Sequence, residues 1–361
     1  HHRSSAASDV YKRQEGKRRF SLNQLRAFLE CPLQSGAKRS LSITEEEEDL
    51  TRRIHEPVSL EPLDEWQLLQ KTFDLGILNT SEPDWNVLYE QMLHSNLFEG
   101  ALPASLFEDA MRRKHLEILT AWERHLRELL QGMDWNEIQK ASRKYLQGAL
   151  QEKHPFLIFG KDSPGFRDVV RFEPVLNLNQ EKEAKAAVTI RGESEWIFFG
   201  PGDDCKLVHF TSRSIRPKQW IRLFLNGVLL SASGLLPERT KVQLSCISGE
   251  RSLSKDLLLP DRLTCRDYLV RLTDEMMDPS SAELFPLEAV LALEPDQIPS
   301  EKWPQRLEQW LEEAFENSRS SFSSQYGPLP FPEDSKRPDD PKGTMEKRFG
   351  LLFQTIGNPA N

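Results

Sequence analysis

The stretch Gly192–Gly234, "GESEWIFFGPGDDCKLVHFTSRSIRPKQWIRLFLNGVLLSASG", decides how the chain folds. "EWIFF" and "CKLVHF" are short runs rich in β-branched and aromatic residues. Between them "GPGDD" supplies the Gly, Pro and Asp backbone angles of a tight reversal, so the pair is expected as a β-hairpin. "RPKQWIRLFLNGVLLSASG" then reads as an amphipathic-to-buried helix that packs on the sheet and ends at Gly234. A further strand, "KVQLSCIS", follows it. Strand, strand, helix, strand is the order expected of an α/β domain in which helices cover a mixed sheet.

Working outward, "FRDVVRFEPVLNL" and "AKAAVTIRG" upstream of the hairpin also read as strands. Before Gly148 the pattern is helical. "FSLNQLRAFLECP" starts a helix at Phe20 that puts Leu22, Leu25, Phe28 and Leu29 on one face, with Ser21 as cap and Pro32 as stop. Several helices follow between Leu63 and Leu150, broken at "TSEPDW", "GALPAS" and "GMDWNE". The longest, from Ser105 to about Gln131, carries Leu106, Ala110, Leu116, Leu119, Leu126 and Leu130 at helical spacing. Its other face, with "RRKH" and "ERH", is expected to be solvated; His115 and His125 do not stand at i, i+4 and make no metal pair. "TEEEEDLTRR" is expected as a solvated loop or helix edge. Beyond the hairpin, helices are expected over Thr264–Met277 and Trp303–Phe322, then an exposed loop, "YGPLPFPEDSKRPDDPKG", and a last short helix.

No run of about 18 apolar residues occurs, so no membrane span is expected. A formal net charge of −9 argues against a free-standing, high-affinity nucleic-acid binder, yet leaves room for a subunit that touches DNA through one local patch. Cys31, Cys205, Cys246 and Cys265 lie far apart without zinc spacing, as expected of free thiols in a reducing cytoplasm. The N-terminus has no apolar h-region. "HHRSSAASDVYKRQ", residues 1–14, is polar and without period; it resembles translated adapter sequence and is read as a non-native segment, in which case the natural chain continues upstream.

Metal-dependent DNA cleavage needs carboxylates to hold Mg²⁺ and a Lys near the attacking water. Residues two apart on a strand share a face, so D-x-K or E-x-K sets carboxylate and ammonium side by side. On "LVHFTSR" those places hold His209 and Thr211, leaving Glu195 on the preceding strand as the acid in position. A rival site is Asp204 and Lys206, itself a D-x-K, with Glu195 or Glu193; Asp203 and Asp204 are also explained as turn residues, and Glu193 and Glu195 as an exposed sheet face. Just beyond, Arg213, Arg216, Lys218 and Arg222 cluster around a helix start that also carries Trp220. Free N–H groups and basic side chains there suit phosphates, the competing reading being a surface helix balanced by nearby acids. "MRRKH", Met111–His115, is a second basic stretch.

Three colinear regions carry a family resemblance: "FSLNQLRAFLECPLQSGAKRSL" from Phe20, the hairpin-and-helix stretch from Ile190, and "EMMDPSSAELFPLEAV" with the late "AFENSRSSFSSQYG". In their order and spacing the chain resembles the C-terminal region of the RecC family, the gamma subunits of exodeoxyribonuclease V, the RecBCD helicase-nuclease. The resemblance implies a helical region over 15–150 and, over 151–361, a restriction-endonuclease-like PD-(D/E)XK α/β domain, a mixed sheet flanked by helices, without its active site. Glu195, His209 and Thr211 are then the degenerate nuclease positions, and no metal is expected on this chain; Mg²⁺ and ATP are expected on partner subunits. It further implies a cytoplasmic scaffold between RecB-type and RecD-type helicases that handles double-stranded DNA ends and the unwound single strands during double-strand break repair and recombination. Chi recognition lies in upstream domains of that family. The alternative is an active nuclease of AddB or RecB type using Glu195, Asp204 and Lys206, and a third reading is a module that only docks a helicase. Cys31-Pro32 resembles the start of the AddB iron-sulfur motif, but no cysteine follows Cys265 to complete such a cluster.

Overall fold

A computed structural model describes residues 17–40, 60–78, 82–94, 106–143, 187–191, 194–200, 204–236, 240–283, 285 and 338–356. Residues 1–14, "TEEEEDLTRR", the strand expected over 166–178 and the helix expected over 303–322 lie outside the described residues.

The hairpin forms. Strands β4 (Trp196–Phe199) and β5 (Cys205–Thr211) run antiparallel with Trp196 opposite Val208, closed by the Gly200 N–H donating to the Asp204 carbonyl at 2.7 Å. Helix α7 (Pro217–Ala232) returns the chain to β6 (Lys241–Ser248), parallel to β5. It contains Ile221, Asn226, Gly227 and Val228, all weak helix formers. Propensity differences of at most about 1 kcal/mol per residue are outweighed by burial of Ile221, Leu223, Phe224, Leu225, Val228 and Leu230, each worth about 1.5–3 kcal/mol before entropy. Gly234 ends the helix in the left-handed region at φ +75, and Leu235 N–H donates back to the Leu230 carbonyl at 3.0 Å.

Among the described residues the sheet has the order β2-β4-β5-β6-β7, with β2 (Ser142–Arg143) and β7 (Ser252–Leu258) at its ends; a separate parallel pair joins β1 (Lys17–Ser21) to β3 (Ala187–Arg191). The architecture is mixed α/β, with helices on both faces of a mixed sheet and a helical N-terminal part.

Strand alternation divides the sheet's side chains between two cores. Ile197, Cys205, Leu207, Val242, Leu244 and Cys246 face α1 (Leu22–Glu30), α7, α8 (Arg262–Met277) and α9 (Pro341–Ile356). Trp196, Phe198, Val208, Phe210 and Ile247 face the helices of the N-terminal part: α3 (Pro62–Leu78), α4 (Trp85–Leu93), α5 (Leu106–Leu129) and α6 (Trp135–Ala141). Both cores therefore draw on both of the regions distinguished by composition.

Two local expectations are corrected and one is met. Phe20 belongs to strand β1; the helix begins after Ser21, whose hydroxyl accepts from Gln24 N–H at 3.0 Å while Gln24 Oε1 accepts from Ser21 N–H at 2.7 Å. The short helix does stop before Pro32, at Glu30, and Pro32 then opens a second one, α2 (Pro32–Ser40), because a first-turn position has no intrahelical use for the missing N–H. His115 is not on a solvated face. It is buried, with Tyr89 Oη at 2.9 Å from Nδ1 and Glu65 Oε1 at 3.2 Å from Nε2, and that partnership holds the Glu65 carboxyl down at about 2.

Candidate nucleic-acid interface

The parallel pair β5 and β6 ends beside a cleft of about 380 Å³. Its walls come from both helical layers: Arg26 and Glu30 of α1, Leu63 and Trp66 of α3, and the segment from His209 to Arg222 that leaves β5 and enters α7. Ligands of α/β sheets characteristically sit outside the carboxyl ends of strands, and the cleft occupies such a place.

Its floor is built on Glu195. The backbone N–H of Glu195 donates to Asn226 Oδ1 at 3.0 Å, and Asn226 Nδ2 donates to the Arg222 carbonyl at 2.9 Å, tying the start of β4 to the middle of α7. The Glu195 carboxylate, almost fully buried, accepts from Arg222 Nε through Oε1 and lies 3.1 Å from His209 Nδ1 through Oε2. Burial pushes the His209 pKa below its ordinary value, outweighing the attraction of Glu195, so near neutral pH the imidazole is uncharged and its Nδ1–H donates to the carboxylate. This contact is a hydrogen bond to a neutral ring, and the charge on Glu195 is met by Arg222. Beside them Arg26 and Glu30 pair at 3.2 Å; burial lowers the pKa of Arg26 and raises that of Glu30.

Thr211, at the end of β5, is used structurally. Its hydroxyl accepts from Arg213 N–H at 3.2 Å and from Gln219 Nε2 at 3.5 Å, and its carbonyl accepts from Trp122 Nε1 at 3.2 Å. Gln219 also accepts from Arg216 N–H, so the bend from strand to helix is fixed by side-chain bonds on both sides. The rim is basic. Arg213, Arg216 and Lys218 are exposed, and their side chains make no hydrogen bond or ion pair with the described residues.

Glu195, His209 and Thr211 are thus brought together on one face of the hairpin. Asp204 and Lys206 are not. Alternation puts Lys206 on the face of Val208 and Phe210, opposite to Glu195, and its Nζ donates to Gln243 Oε1 at 3.0 Å. The donor set does not fit a divalent cation either: both oxygens of Glu195 are engaged, and among the described residues no group of three or more His, Cys, Asp or Glu side chains is placed to hold a metal. Trp220 is also outside the cleft; it packs against the core below α7, with Lys255 Nζ 5.5 Å from its ring centroid. Arg26, Glu30, Leu63, Trp66 and Gln219 were not signalled as site residues. The i, i+4 spacing of Arg26 and Glu30 reveals an ion pair but not the strand end it faces.

Comparison with known proteins decides the family: a model described as the RecC C-terminal domain matches residues 17–321. The chain belongs to the RecC C-terminal domain family. That membership carries the coarse role of a subunit in a RecBCD-type DNA-repair complex. No curated protein matches the chain significantly. Among the described residues of this RecC-family chain no helix is long and apolar enough to cross a membrane. Cys31, Cys205, Cys246 and Cys265 are all buried free thiols, and burial raises the Cys205 pKa to about 12 and that of Cys265 to about 11, which makes both poor thiolates.

Proposed function

We propose that the chain is a non-catalytic, DNA-handling part of a RecBCD-type helicase-nuclease acting in double-strand break repair and homologous recombination, and that the cleft at the end of β5 receives the DNA backbone. One observation carries this reading. Arg213, Arg216 and Lys218 stand exposed, with no hydrogen bond or ion pair to the described residues, around a cleft whose floor carboxylate is already engaged by Arg222 and His209 and whose wall carboxylate, Glu30, is paired with Arg26. Exposed positive charge gathered in one place on a chain of net charge −9 suits a polyanion, while the two carboxylates at the cleft, Glu195 and Glu30, are engaged by Arg222 and Arg26 and are poorly placed to activate water. The restriction-endonuclease-like character of the domain rests on the family resemblance, and with it the assignment of Glu195, His209 and Thr211 as degenerate nuclease positions. RecB-type and RecD-type helicases are the partners this role requires, with Mg²⁺ and ATP bound on them. The separation of Asp204 and Lys206 from Glu195 weighs against the AddB- or RecB-type nuclease reading.

Titration of a labelled oligonucleotide at several salt concentrations tests the proposal. Changing Arg213, Arg216 and Lys218 together to Ala is expected to weaken binding and to reduce the salt slope by about 2 to 3, roughly one per lost phosphate contact. An unchanged affinity and slope in the folded triple variant would sink the assignment of the cleft to DNA.

A further inference from the structure

The Arg222 guanidinium is held from two sides, and its backbone is fixed as well. Its Nε donates to the buried Glu195 carboxylate, the Trp66 ring lies over it with the centroid 5.6 Å from its central carbon, and its backbone carbonyl is bonded to Asn226. Its two terminal nitrogens make no hydrogen bond to the described residues, and the side chain is a quarter exposed where it lines the cleft. A guanidinium offers five N–H donors in a rigid fork matched to paired oxygens, and Nε uses one of them here. Arg222 lines the cleft and Glu195 does not, so an anion entering meets the guanidinium before that carboxylate, while Glu30, which does line the cleft, is paired with Arg26 at 3.2 Å.

The geometry points to Arg222 as the seat of one phosphodiester group: Glu195 orients the fork, and the terminal nitrogens bind the phosphate oxygens, so that binding at the floor needs no divalent cation. Where the resemblance to metal nucleases would put a metal between carboxylate and phosphate, this chain puts its own guanidinium. This inference rests on the reading of the cleft as a DNA site and adds to it the group that binds and its independence of metal. The rim cations supply long-range attraction, whereas Arg222 supplies a paired, directional contact in a partly dry site. A preorganised donor of this kind loses little conformational freedom on binding. The same chemistry could come from free phosphate, and the test separates the two sources.

Binding of a labelled single-stranded oligonucleotide to the full chain is measured in EDTA and in Mg²⁺, with inorganic phosphate as competitor. Wild type is expected to bind at least as tightly in EDTA as in Mg²⁺, which competes for the phosphates. Arg222→Ala is expected to lose about tenfold or more in EDTA. Arg222→Lys keeps the charge but lacks the fork, and is expected to recover only part of the loss while guarding against misfolding as the cause. Phosphate is expected to compete more weakly against the Arg222→Lys complex than against wild type. Binding that requires Mg²⁺, or wild-type affinity in both Arg222 variants while the rim variant is weakened, would overturn the role of Arg222 and leave the DNA-site reading standing. Oligonucleotide binding unchanged while phosphate binding is lost would assign the floor to free phosphate instead. Indifference of both the rim and Arg222 variants would remove the DNA site itself.

Discussion

Glu195 is the residue on which the most electrostatic work converges, since removing its side chain leaves a guanidinium and an imidazole without their acceptor at the floor of the cleft. Breaking a fully buried pair costs about 3–5 kcal/mol. Arg222 is a quarter exposed and partly solvated, so Glu195→Ala is expected to destabilise the fold by about 2–3 kcal/mol, and Glu195→Gln by less because one oxygen acceptor survives. Urea denaturation measures both. The pH dependence follows from two groups. His209 has its folded pKa depressed below the ordinary 6.5, so the unfolded chain binds the extra proton first and stability is lost as pH falls below about 6.5. Glu65, depressed from 4.5 to about 2 chiefly by its bond to His115, adds a second loss on further acidification between those values. Thermal midpoints recorded from pH 8 to about 3 should decline in these two stages, and His209→Asn should blunt the upper one.

At the level of elements, the helical layer over the sheet is locked by aromatic packing. Trp85 stacks on Phe73 at 5.0 Å and donates from Nε1 to Glu123 at 2.6 Å, while the Gly76 carbonyl accepts from Trp135 Nε1 at 3.1 Å. A Cβ on Gly76 would stand 2.5 Å from the Trp85 ring, which these contacts prevent from yielding. Gly76→Ala is therefore expected to cost about 1–3 kcal/mol, read as a shift in the unfolding midpoint with an unchanged denaturant slope. The same packing explains what the sequence could and could not reveal. The β4–β5 hairpin, α7 and its glycine stop were legible because strong local signals agree with burial. Strand β7 was not read: "SLSKDLL" is a largely exposed edge strand whose pairing with β6 supplies the order that its composition does not. His115 looked like part of a solvated stripe because its partners, Tyr89 and Glu65, are 26 and 50 residues away. The pairing of β1 with β3, across about 170 residues, left no local trace for the same reason.

Over the whole molecule, charge and topology meet at one place. The chain is acidic overall, yet the exposed cations Arg213, Arg216 and Lys218, without ion pairs to the described residues, gather where β5 ends and where α1 and α3 close in from either side. The candidate site was half legible. The hairpin alternation singled out Glu195, His209 and Thr211, and the basic run marked the rim; the partnership of Glu195 with Arg222 depends on how α7 lies against β4, which spacing alone does not fix. Trp220 shows the limit, being four residues from Arg216 and two from Lys218 yet packed against the core. The central claim is that this floor binds backbone without cutting it. The measurement that meets it most directly is a cleavage assay on labelled linear duplex and single-stranded DNA with Mg²⁺ or Mn²⁺, run alongside binding on the same samples of wild type and Lys206→Ala. Binding without cleavage by either protein is the expected result. Metal-dependent cutting by wild type that disappears in Lys206→Ala would contradict it and move catalysis to Asp204 and Lys206.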